Sequence, residues 1–485
     1  MSQFSDKLLQ YITESGYNIY QLAKETALDR TTLQKTVKGQ RLPSLDYLKK
    51  VCNSIKISKA QEEELIRLYK IEKLGPETIE TWEEIHNMLL DINKLRNKIK
   101  DSNIWKVQFD KSILNSNIEG YQGKLLSELD IMKAVMCIIE HEIIEEDKPE
   151  VFMDVSYASQ YALSQIVESQ NITHKQVTCH QFVNLRRTEH SKAGILSNIE
   201  LLHQVLPYAF AFQDNYDIRY TYVDGNIYDL KYEIMPHYIV THKHVLLCSH
   251  NNYNAILVSD NSIVESYYDE LRRMHPNYRP LFIYQGLSGE GIRLYRDMFK
   301  SIDTQITVEP IPCIALMAPK ELREEKSNDP IVGEYVKKYL VTPDVAPENY
   351  INIFGMKKMT HMLQTGHLPG VYDMYIGELD IPTRKAMAYN FLEKLKNHER
   401  KFYMLNETNS SLLEEYSIEM YGRSKIVFST ISHDFTFGFI TIDEPGICET
   451  FYNYILNFIE SPNVYGIEES ITRYEDMINE WLREL

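Results

Sequence analysis

Long hydrophobic runs, paired cysteines and the common catalytic signatures are all missing from this chain of 485 residues. No apolar run approaches the about 18 residues of a membrane span, and the charged amphipathic N-terminus is unlike a signal peptide. Six cysteines are scattered without a Cys-x-x-Cys pair, which favours reduced thiols over disulfides. There is no Gly-x-Ser-x-Gly, His-Glu-x-x-His, kinase or zinc-binding pattern. We therefore expect a cytoplasmic protein that has no membrane partner, cofactor or metal. We also expect that it is not an enzyme, although catalysis by the C-terminal body stays open.

Positive charge is scarce beyond the first 73 residues. The whole chain contains 52 Lys and Arg and 69 Asp and Glu. Residues 1–73 contain 13 Lys and Arg and 9 Asp and Glu, so the remainder contains 39 Lys and Arg and 60 Asp and Glu. Basic surfaces attract DNA phosphates and acidic surfaces repel them. Any phosphate contact is therefore expected in the N-terminal module, residues 1–73. The alternative reading is that the acidity of the remainder only keeps a large protein in solution.

Residues 18–39 have the pattern of two short helices joined by a tight turn. Asn18 is placed to cap the first helix, and Ala27-Leu28-Asp29 forms the turn. Asp29 can accept the backbone N–H groups that open the second helix, and Gly39 can end that helix in the left-handed conformation. This arrangement is a helix-turn-helix, whose second helix typically enters the DNA major groove.

The flanking residues extend this motif to five predicted helices within 1–73. A Ser58-x-x-Gln61 capping box opens the fifth helix. Residues 22–24 (Leu-Ala-Lys), the inward Leu33 and the segment from Gly39 to residues 43–45 (Pro-Ser-Leu) complete the pattern. Over residues 5–72 this pattern resembles the XRE (Cro/repressor-like) DNA-binding family. Three positions depart from that family: Ile19 stands where a polar residue is frequent, Ala27 where glycine is typical, and Thr36 where an apolar residue is usual.

The resemblance implies two groups of DNA-binding residues. Residues expected to contact bases are Arg30, Thr31 and Lys35, with Gln34 as the next candidate. Residues expected to contact phosphate are Thr32, Lys38 and Arg41. Arginine and lysine make paired hydrogen bonds to guanine, whereas phosphate contacts mainly set orientation. Family members usually read two half-sites about one DNA turn apart, so the resemblance also implies double-stranded DNA and a homodimer as partners.

The chain after residue 73 is predicted to continue as a linker helix and a large body. Apolar residues at helical spacing follow the Gly75-Pro76 break, so residues 74–104 are assigned to a linker or dimerisation helix. That helix either pairs with its twin or packs on the body. The body, residues 105–300 and 301–485, shows mixed helices and hairpins, which predicts an α+β fold. The whole chain is thus predicted to be multidomain, an all-α five-helix XRE-type helix-turn-helix domain followed by a linker helix and a large α+β body.

A weak internal repeat occurs in the body. The strand and helix beginning at Ala255 and Ile263 resemble those beginning at Gly438 and Ile447. Duplication would place a ligand pocket between the halves, but strand–helix patterns also recur by chance, and both alternatives stay open. The pattern identifies no ligand-binding residue.

Four histidines cluster around the predicted strand Tyr238–Cys248. They are His237, His242, His244 and His250. In a strand, His242 and His244 would face the same side, which permits a metal pair. No acidic ligand lies in that segment, so we favour hydrogen-bonded histidines over a metal site.

Together these features predict a sequence-specific DNA-binding transcriptional regulator with a C-terminal sensing or oligomerisation body. The effector could be a small molecule, a peptide or a protein. Two alternatives come from other classes of protein. The body could be an effector enzyme or toxin-like domain that the helix-turn-helix targets or autoregulates, or the chain could be a non-catalytic protein-binding scaffold.

Overall fold

A computed structural model describes most of the chain. The described residues are 2–26, 29–100, 118–173, 175–187, 192–223, 234–250, 254–286, 302–327, 349–369, 376–398, 400–408, 412, 416–430 and 438–485. The chain divides into two compact units, residues 1–84 with 191–196 and residues 85–190 with 197–485. Within the described residues, no helix combines the length and the apolar character needed to cross a membrane.

The first unit is built from short helices around one apolar core. They are α1 (Gln3–Glu14), α2 (Ile19–Thr26), α3 (Arg30–Val37), α4 (Leu45–Ile55) and α5 (Lys59–Leu74), followed by α6 (Pro76–Lys100). Leu8, Leu22, Leu33, Leu48 and Leu65 each contribute a fully buried side chain to this core. The sequence places one such leucine on every helix from α1 to α5. Helices of 8 to 16 residues are marginal alone, and packing of these leucines in the shared core stabilises them.

The second unit contains two mixed β-sheets. The first sheet has the order β1-β7-β6-β5-β2-β3-β4-β8, and the second has the order β12-β11-β10-β13-β14-β15-β9. The strands of the first sheet are β1 (Leu125–Leu126), β2 (Glu150–Met153), β3 (Thr178–Arg186), β4 (Tyr216–Val223), β5 (His237–Val240), β6 (Val245–Cys248), β7 (Ala255–Val258) and β8 (Arg279–Pro280). Those of the second are β9 (Ile283–Gly286), β10 (Thr304–Glu309), β11 (Asn349–Phe354), β12 (Lys401–Met404), β13 (Tyr416–Tyr421), β14 (Lys425–Thr430) and β15 (Gly438–Ile442).

Helices alternate with these strands along the chain. In the first part they are α7 (Glu128–Glu145), α8 (Tyr157–Thr173), α9 (Lys192–Phe212) and α10 (Asn261–Met274). In the second part they are α11 (Ile314–Met317), α12 (Lys320–Ser327), α13 (Lys357–Thr365), α14 (Ile381–Lys396), α15 (Pro445–Ile459) and α16 (Ile467–Glu484). Helix α10 packs through Val264, Tyr268 and Leu271 on the face of the first sheet that carries Phe152 and Phe182.

Apart from β8, which has no counterpart, the second sheet repeats the strand order and the strand directions of the first. Strands β2, β3 and β4 run parallel, as do β10, β11 and β12. In the first sheet, β5, β6 and β7 follow on the other side of β2, each antiparallel to its neighbour, and β1 pairs with β7. In the second sheet, β13, β14 and β15 follow beside β10 in the same way, and β9 pairs with β15. The two segments compared in the sequence, β7 with α10 and β15 with α15, occupy equivalent positions in this repeated architecture.

The predicted fold class is wrong, because the body is α/β and not α+β. Parallel neighbours β2, β3 and β4 are connected through helices α8 and α9, which is the arrangement of an α/β protein. The Asp224-Gly225 turn after residues 216–223 predicts that this strand starts a hairpin, but β4 pairs in parallel with β3 over its whole length. Strands β2, β3, β10, β11 and β12 were missed. In β2 and β10 successive residues are buried, so these strands lack the alternation that marks a half-buried strand.

Two local predictions in the body are also wrong. The segment 238–248 is not one strand, because it turns between β5 and β6. The helical spacing of apolar residues in 123–145 predicts a buried stripe that includes Leu129, but Leu129 on α7 is 72% exposed. The buried side of α7 is instead formed by residues including Ile131, Val135 and Ile138.

The apolar stripe of the predicted linker helix is used inside the second unit from residue 85 onward. Ile85, Leu89 and Ile92 are buried, and the Tyr416 hydroxyl donates a hydrogen bond to Leu89 O at 2.8 Å. Asn93 Nδ2 donates to Leu412 O at 2.6 Å. This part of α6 therefore packs on the body, which was one of the two alternatives. Dimerisation stays a prediction.

Candidate functional site

Helix α3 begins and ends as its sequence predicts. The Asp29 carboxylate accepts the Thr32 N–H at 2.7 Å, and hydrogen bonds from Thr32 hold the pKa of Asp29 below its usual range. Gly39, just past the helix, has a φ of 67°, in the left-handed region where glycine is unstrained. Asn18 Oδ1 accepts the Gln21 N–H at 2.9 Å and so caps α2. These three capping predictions are confirmed; Ala27 in the turn lies outside the described residues.

One side of α3 is fixed on the core of the first unit. Leu33, Thr36 and Val37 are buried. The hydroxyl of Thr36 donates to Thr32 O at 2.9 Å, so this buried polar group is satisfied within the helix. Threonine is therefore accommodated at a position where the XRE pattern usually has an apolar residue. This packing fixes the orientation of the opposite, exposed side of α3.

The opposite side of α3 carries the four residues expected to contact bases. Arg30, Thr31, Gln34 and Lys35 are all exposed. Their spacing of one and four residues places them on a single face of a helix. The Arg30 guanidinium lies over the Tyr20 ring, 5.1 Å from its centroid, which links this face to α2 by a cation–π contact.

The residues expected to contact phosphate lie beside the start of α3. Thr32 is half-buried, and its Oγ1 accepts a hydrogen bond from Arg41 Nη1 at 3.3 Å. Lys38 and Arg41 are exposed. The Tyr47 hydroxyl donates to Asp29 O at 3.0 Å, so α4 is tied to the same helix start. The structure thus brings Thr32 and Arg41 into contact and places Lys38 at the end of α3.

The cations of this surface differ from two paired cations of the first unit, Lys7 and Arg67. Lys7 lies 3.1 Å from a carboxylate oxygen of Glu64, and Arg67 makes a bidentate pair with Glu83 at 2.5 and 2.9 Å. Among the described residues, Arg30, Lys35, Lys38 and Arg41 form no ion pair. Without an ion pair to hold them, these exposed cations are available to an anionic partner.

His242 and His244 are hydrogen-bonded, as favoured over a metal pair. His242 and His244 lie in the turn between β5 and β6, and each has its own partners. His242 Nδ1 lies 2.6 Å from Glu142 Oε1, whereas His244 lies 2.8 Å from Ser259 Oγ and 3.0 Å from His141 Nδ1. Burial lowers the pKa of His244 to about 4. The acidic partner that the sequence segment lacked comes from α7, 100 residues earlier.

A different histidine cluster was missed by sequence reasoning. His180 on β3, Asp217 on β4 and His275 after α10 place their ligand atoms within 4.8 Å of one another. His180 and Asp217 are neighbours in the parallel register of β3 and β4. They are far apart along the chain, and neither strand pairing nor register is visible in a single sequence. No spacing signal could have found this cluster.

Comparison with known proteins gives little further guidance. No family model and no curated protein matches the chain. Among solved structures the chain is similar to the crystal structure of phosphatidylserine synthase from Haemophilus influenzae Rd KW20, with 10% sequence identity. The match covers 77% of this chain and 96% of that chain, at a TM-score of 0.25. A likeness at this TM-score carries no argument about activity or site residues.

Proposed function

We propose that this chain is a sequence-specific DNA-binding transcriptional regulator of the XRE type, acting in the cytoplasm. The observation that carries the proposal is the exposed face of α3, where Arg30, Thr31, Gln34 and Lys35 lie on a helix whose other face is fixed in the core. An α-helix fits the major groove of B-DNA, and these side-chain types read base edges there.

Charge supports the same surface. Phosphate contacts dominate the affinity of DNA-binding proteins, and they need cations that no carboxylate already neutralises. Lys38 lies just past the end of α3 and Arg41 contacts Thr32 near its start; both are exposed, and neither forms an ion pair among the described residues. The excess of Lys and Arg over Asp and Glu in residues 1–73, 13 against 9, adds a favourable long-range field.

A homodimer completes the proposal. One recognition helix of eight residues presents few base contacts, so high specificity needs two copies reading two half-sites. The body would then carry the oligomerisation or sensing role, and we assign it no catalytic step. An effector that prefers one arrangement of the body would change DNA affinity by shifting the population of that arrangement.

The test is recovery of genomic DNA fragments at near-physiological salt by the purified full chain. We compare the wild type with Arg30→Ala and Lys35→Ala, and use Lys73→Ala on α5 as a control with the same loss of charge. Wild type and control should enrich one palindromic site, and each α3 variant should lose about 1–3 kcal/mol of binding free energy at that site. Circular dichroism checks that the variants are folded.

The pattern of DNA recovery among the four proteins decides between specific and non-specific binding. Loss of the site in the α3 variants but not in Lys73→Ala would establish α3 as the reading element. Equal, weak and salt-sensitive recovery by all four proteins would mean non-specific affinity only, and would overturn the proposal.

A further inference from the structure

Three potential metal ligands meet at the start of the parallel strands of the first sheet. His180 and Asp217 stand side by side on β3 and β4, and His275 reaches them from the turn after α10. Their side chains are 13%, 27% and 19% exposed, so the cluster is shielded but open to small solutes. It lies wholly within the second unit and is independent of the DNA-binding proposal.

His180 is held in one orientation by its surroundings. Its Nε2 lies 2.9 Å from Glu150 Oε1, and its ring stacks on Phe152 with centroids 4.5 Å apart. Arg272 Nη2 lies 2.7 Å from the other oxygen of Glu150, which also accepts the Tyr268 hydroxyl. The carboxylate is thus fixed from three sides, and it fixes the imidazole. A carboxylate that accepts the remote N–H of a histidine is the usual support of a metal-binding imidazole.

The other nitrogen of His180 lies beside the Asp217 carboxylate. Nδ1 is buried, makes no hydrogen bond within the described residues, and lies 3.5 Å from Asp217 Oδ2. A neutral imidazole has one N–H, and when Nε2 donates that proton to Glu150, Nδ1 presents a lone pair to Asp217. Two acceptors then face each other. A positive species between them would remove this conflict.

Asp217 and His275 complete the set. Asp217 Oδ2 lies 2.5 Å from His275 Nε2, so one oxygen faces both imidazoles. Arg219 Nε lies 3.1 and 3.2 Å from the two carboxylate oxygens and holds the group from the side. The Arg219 guanidinium also donates to His275 O at 3.5 Å. The same arginine therefore positions both the carboxylate and the turn that carries the second imidazole.

We propose that His180 Nδ1, Asp217 Oδ2 and His275 Nε2 bind a divalent transition-metal ion of the zinc class. Two imidazoles and one carboxylate are ligands that Zn²⁺ and its neighbours accept, and three protein ligands leave a position for water. Ligand atoms around tetrahedral zinc lie about 3.3 Å apart, so the His180–Asp217 spacing already fits. The 2.5 Å spacing between Asp217 Oδ2 and His275 Nε2 needs to open by less than about 1 Å on metal binding.

The competing occupant is a proton. A doubly protonated His180 between Glu150 and Asp217 would satisfy the same geometry without any metal. The two alternatives differ in a measurable way, because only a metal site binds Co²⁺ with the visible absorption of a low-symmetry N/O site and releases it to Zn²⁺.

The experiment is titration of chelator-treated full-length protein with Co²⁺, followed by competition with Zn²⁺. The nearly isosteric Asp217→Asn variant is compared with His203→Gln, which removes another imidazole–carboxylate pair of the body, His203 with Asp91 at 3.0 Å. Wild type and His203→Gln should each bind one equivalent more than Asp217→Asn. A third variant, Glu150→Gln, keeps all three ligands, and its affinity at that site should fall about 10–100-fold.

Each outcome decides the proposal. Loss of one equivalent in Asp217→Asn alone, with weakened binding in Glu150→Gln, supports the metal site. Equal stoichiometry in all four proteins, or no Co²⁺ binding by the wild type, overturns it and leaves the proton as the occupant. Native circular dichroism of Asp217→Asn and Glu150→Gln confirms that lost binding is not lost folding.

Discussion

The two sheets of the second unit share one strand order but treat their polar groups differently. In the first sheet, Phe152, His180 and Asp217 form a register row across β2, β3 and β4, and the last two are partly exposed at the strand starts. In the second sheet, Asn352, Thr307 and Glu419 form a row across β11, β10 and β13, and all three are buried. We call the row of Phe152, His180 and Asp217 the open row, and the row of Asn352, Thr307 and Glu419 the sealed row or sealed cluster.

The sealed cluster satisfies most of its polar groups internally. Asn352 Nδ2 donates to Thr307 Oγ1 and to Glu309 Oε2, each at 2.7 Å, and Tyr421 donates to Glu419 Oε2 at 2.6 Å. Burial and the nearby Glu419 raise the pKa of Glu309 to about 8. Each row keeps one buried side-chain atom without a hydrogen bond among the described residues, Asn352 Oδ1 in the second sheet and His180 Nδ1 in the first. The rows differ in exposure, because His180 and Asp217 are 13% and 27% exposed whereas Asn352 and Thr307 are 0% and 3% exposed. We infer that the first sheet is suited to binding and the second to structure.

The largest effect is expected from Asn352→Ala. The change creates a cavity at a fully buried position and removes both donors to Thr307 and Glu309. We expect a loss of about 2–4 kcal/mol in the free energy of unfolding, measured by urea denaturation at pH 7. A loss below about 1 kcal/mol would contradict the view that this row holds the second sheet together.

An intermediate effect of opposite sign is expected from Glu309→Gln. A carboxyl whose pKa is raised in the fold, here from 4.5 to about 8, is stabilising while protonated. That contribution is complete below about pH 4.5 and is lost as the pH rises to about 8. Glutamine cannot ionise, so the variant should be more stable than wild type by on the order of 1–3 kcal/mol at pH 8 and similar to it at pH 4.5.

Unfolding curves at several pH values test this prediction. The control is Glu475→Gln, which alters an exposed carboxylate paired with Lys396 at 2.7 Å. It should leave the pH dependence of wild type almost unchanged, because exposed ion pairs contribute about 0–1 kcal/mol. A Glu309→Gln curve parallel to wild type from pH 4.5 to 8 would refute the raised pKa of Glu309.

The smallest effect is expected from His180→Gln in metal-free buffer. His180 is the first-sheet member of the comparison, and its loss removes one hydrogen bond to Glu150 and a ring stacked on Phe152. Because the cluster is partly exposed, water can replace the lost partner, and we expect a loss of about 1 kcal/mol. A cost equal to that of Asn352→Ala would break the distinction between an open and a sealed row.

The sequence predicted local features well where one residue acts on its own neighbours. Asn18, Asp29 and the Ser58–Gln61 capping box all make the predicted hydrogen bonds, because a cap needs only a side chain and the next few backbone N–H groups. The exposed face of α3 follows from helical spacing in the same way. These predictions depend on contacts between residues three or four apart.

Predictions failed where partners are distant in the chain. The α/β class depends on β2 and β3 pairing in parallel across α8, and a buried strand such as Val151–Met153 has no alternating pattern to mark it. His242 was correctly expected to be hydrogen-bonded, but its partner Glu142 lies on α7 and could not be named. The cluster of His180, Asp217 and His275 was missed for the same reason.

By itself the sequence determined the caps, the helical faces and the division of charge between residues 1–73 and the remainder, since each follows from short spacing or from composition. Only the tertiary structure decided which strands run parallel, which polar rows are sealed and which three ligand atoms meet at β3, β4 and the turn after α10. Strand register couples residues tens of positions apart, and it is settled by the packing of the whole sheet and not by any local pattern.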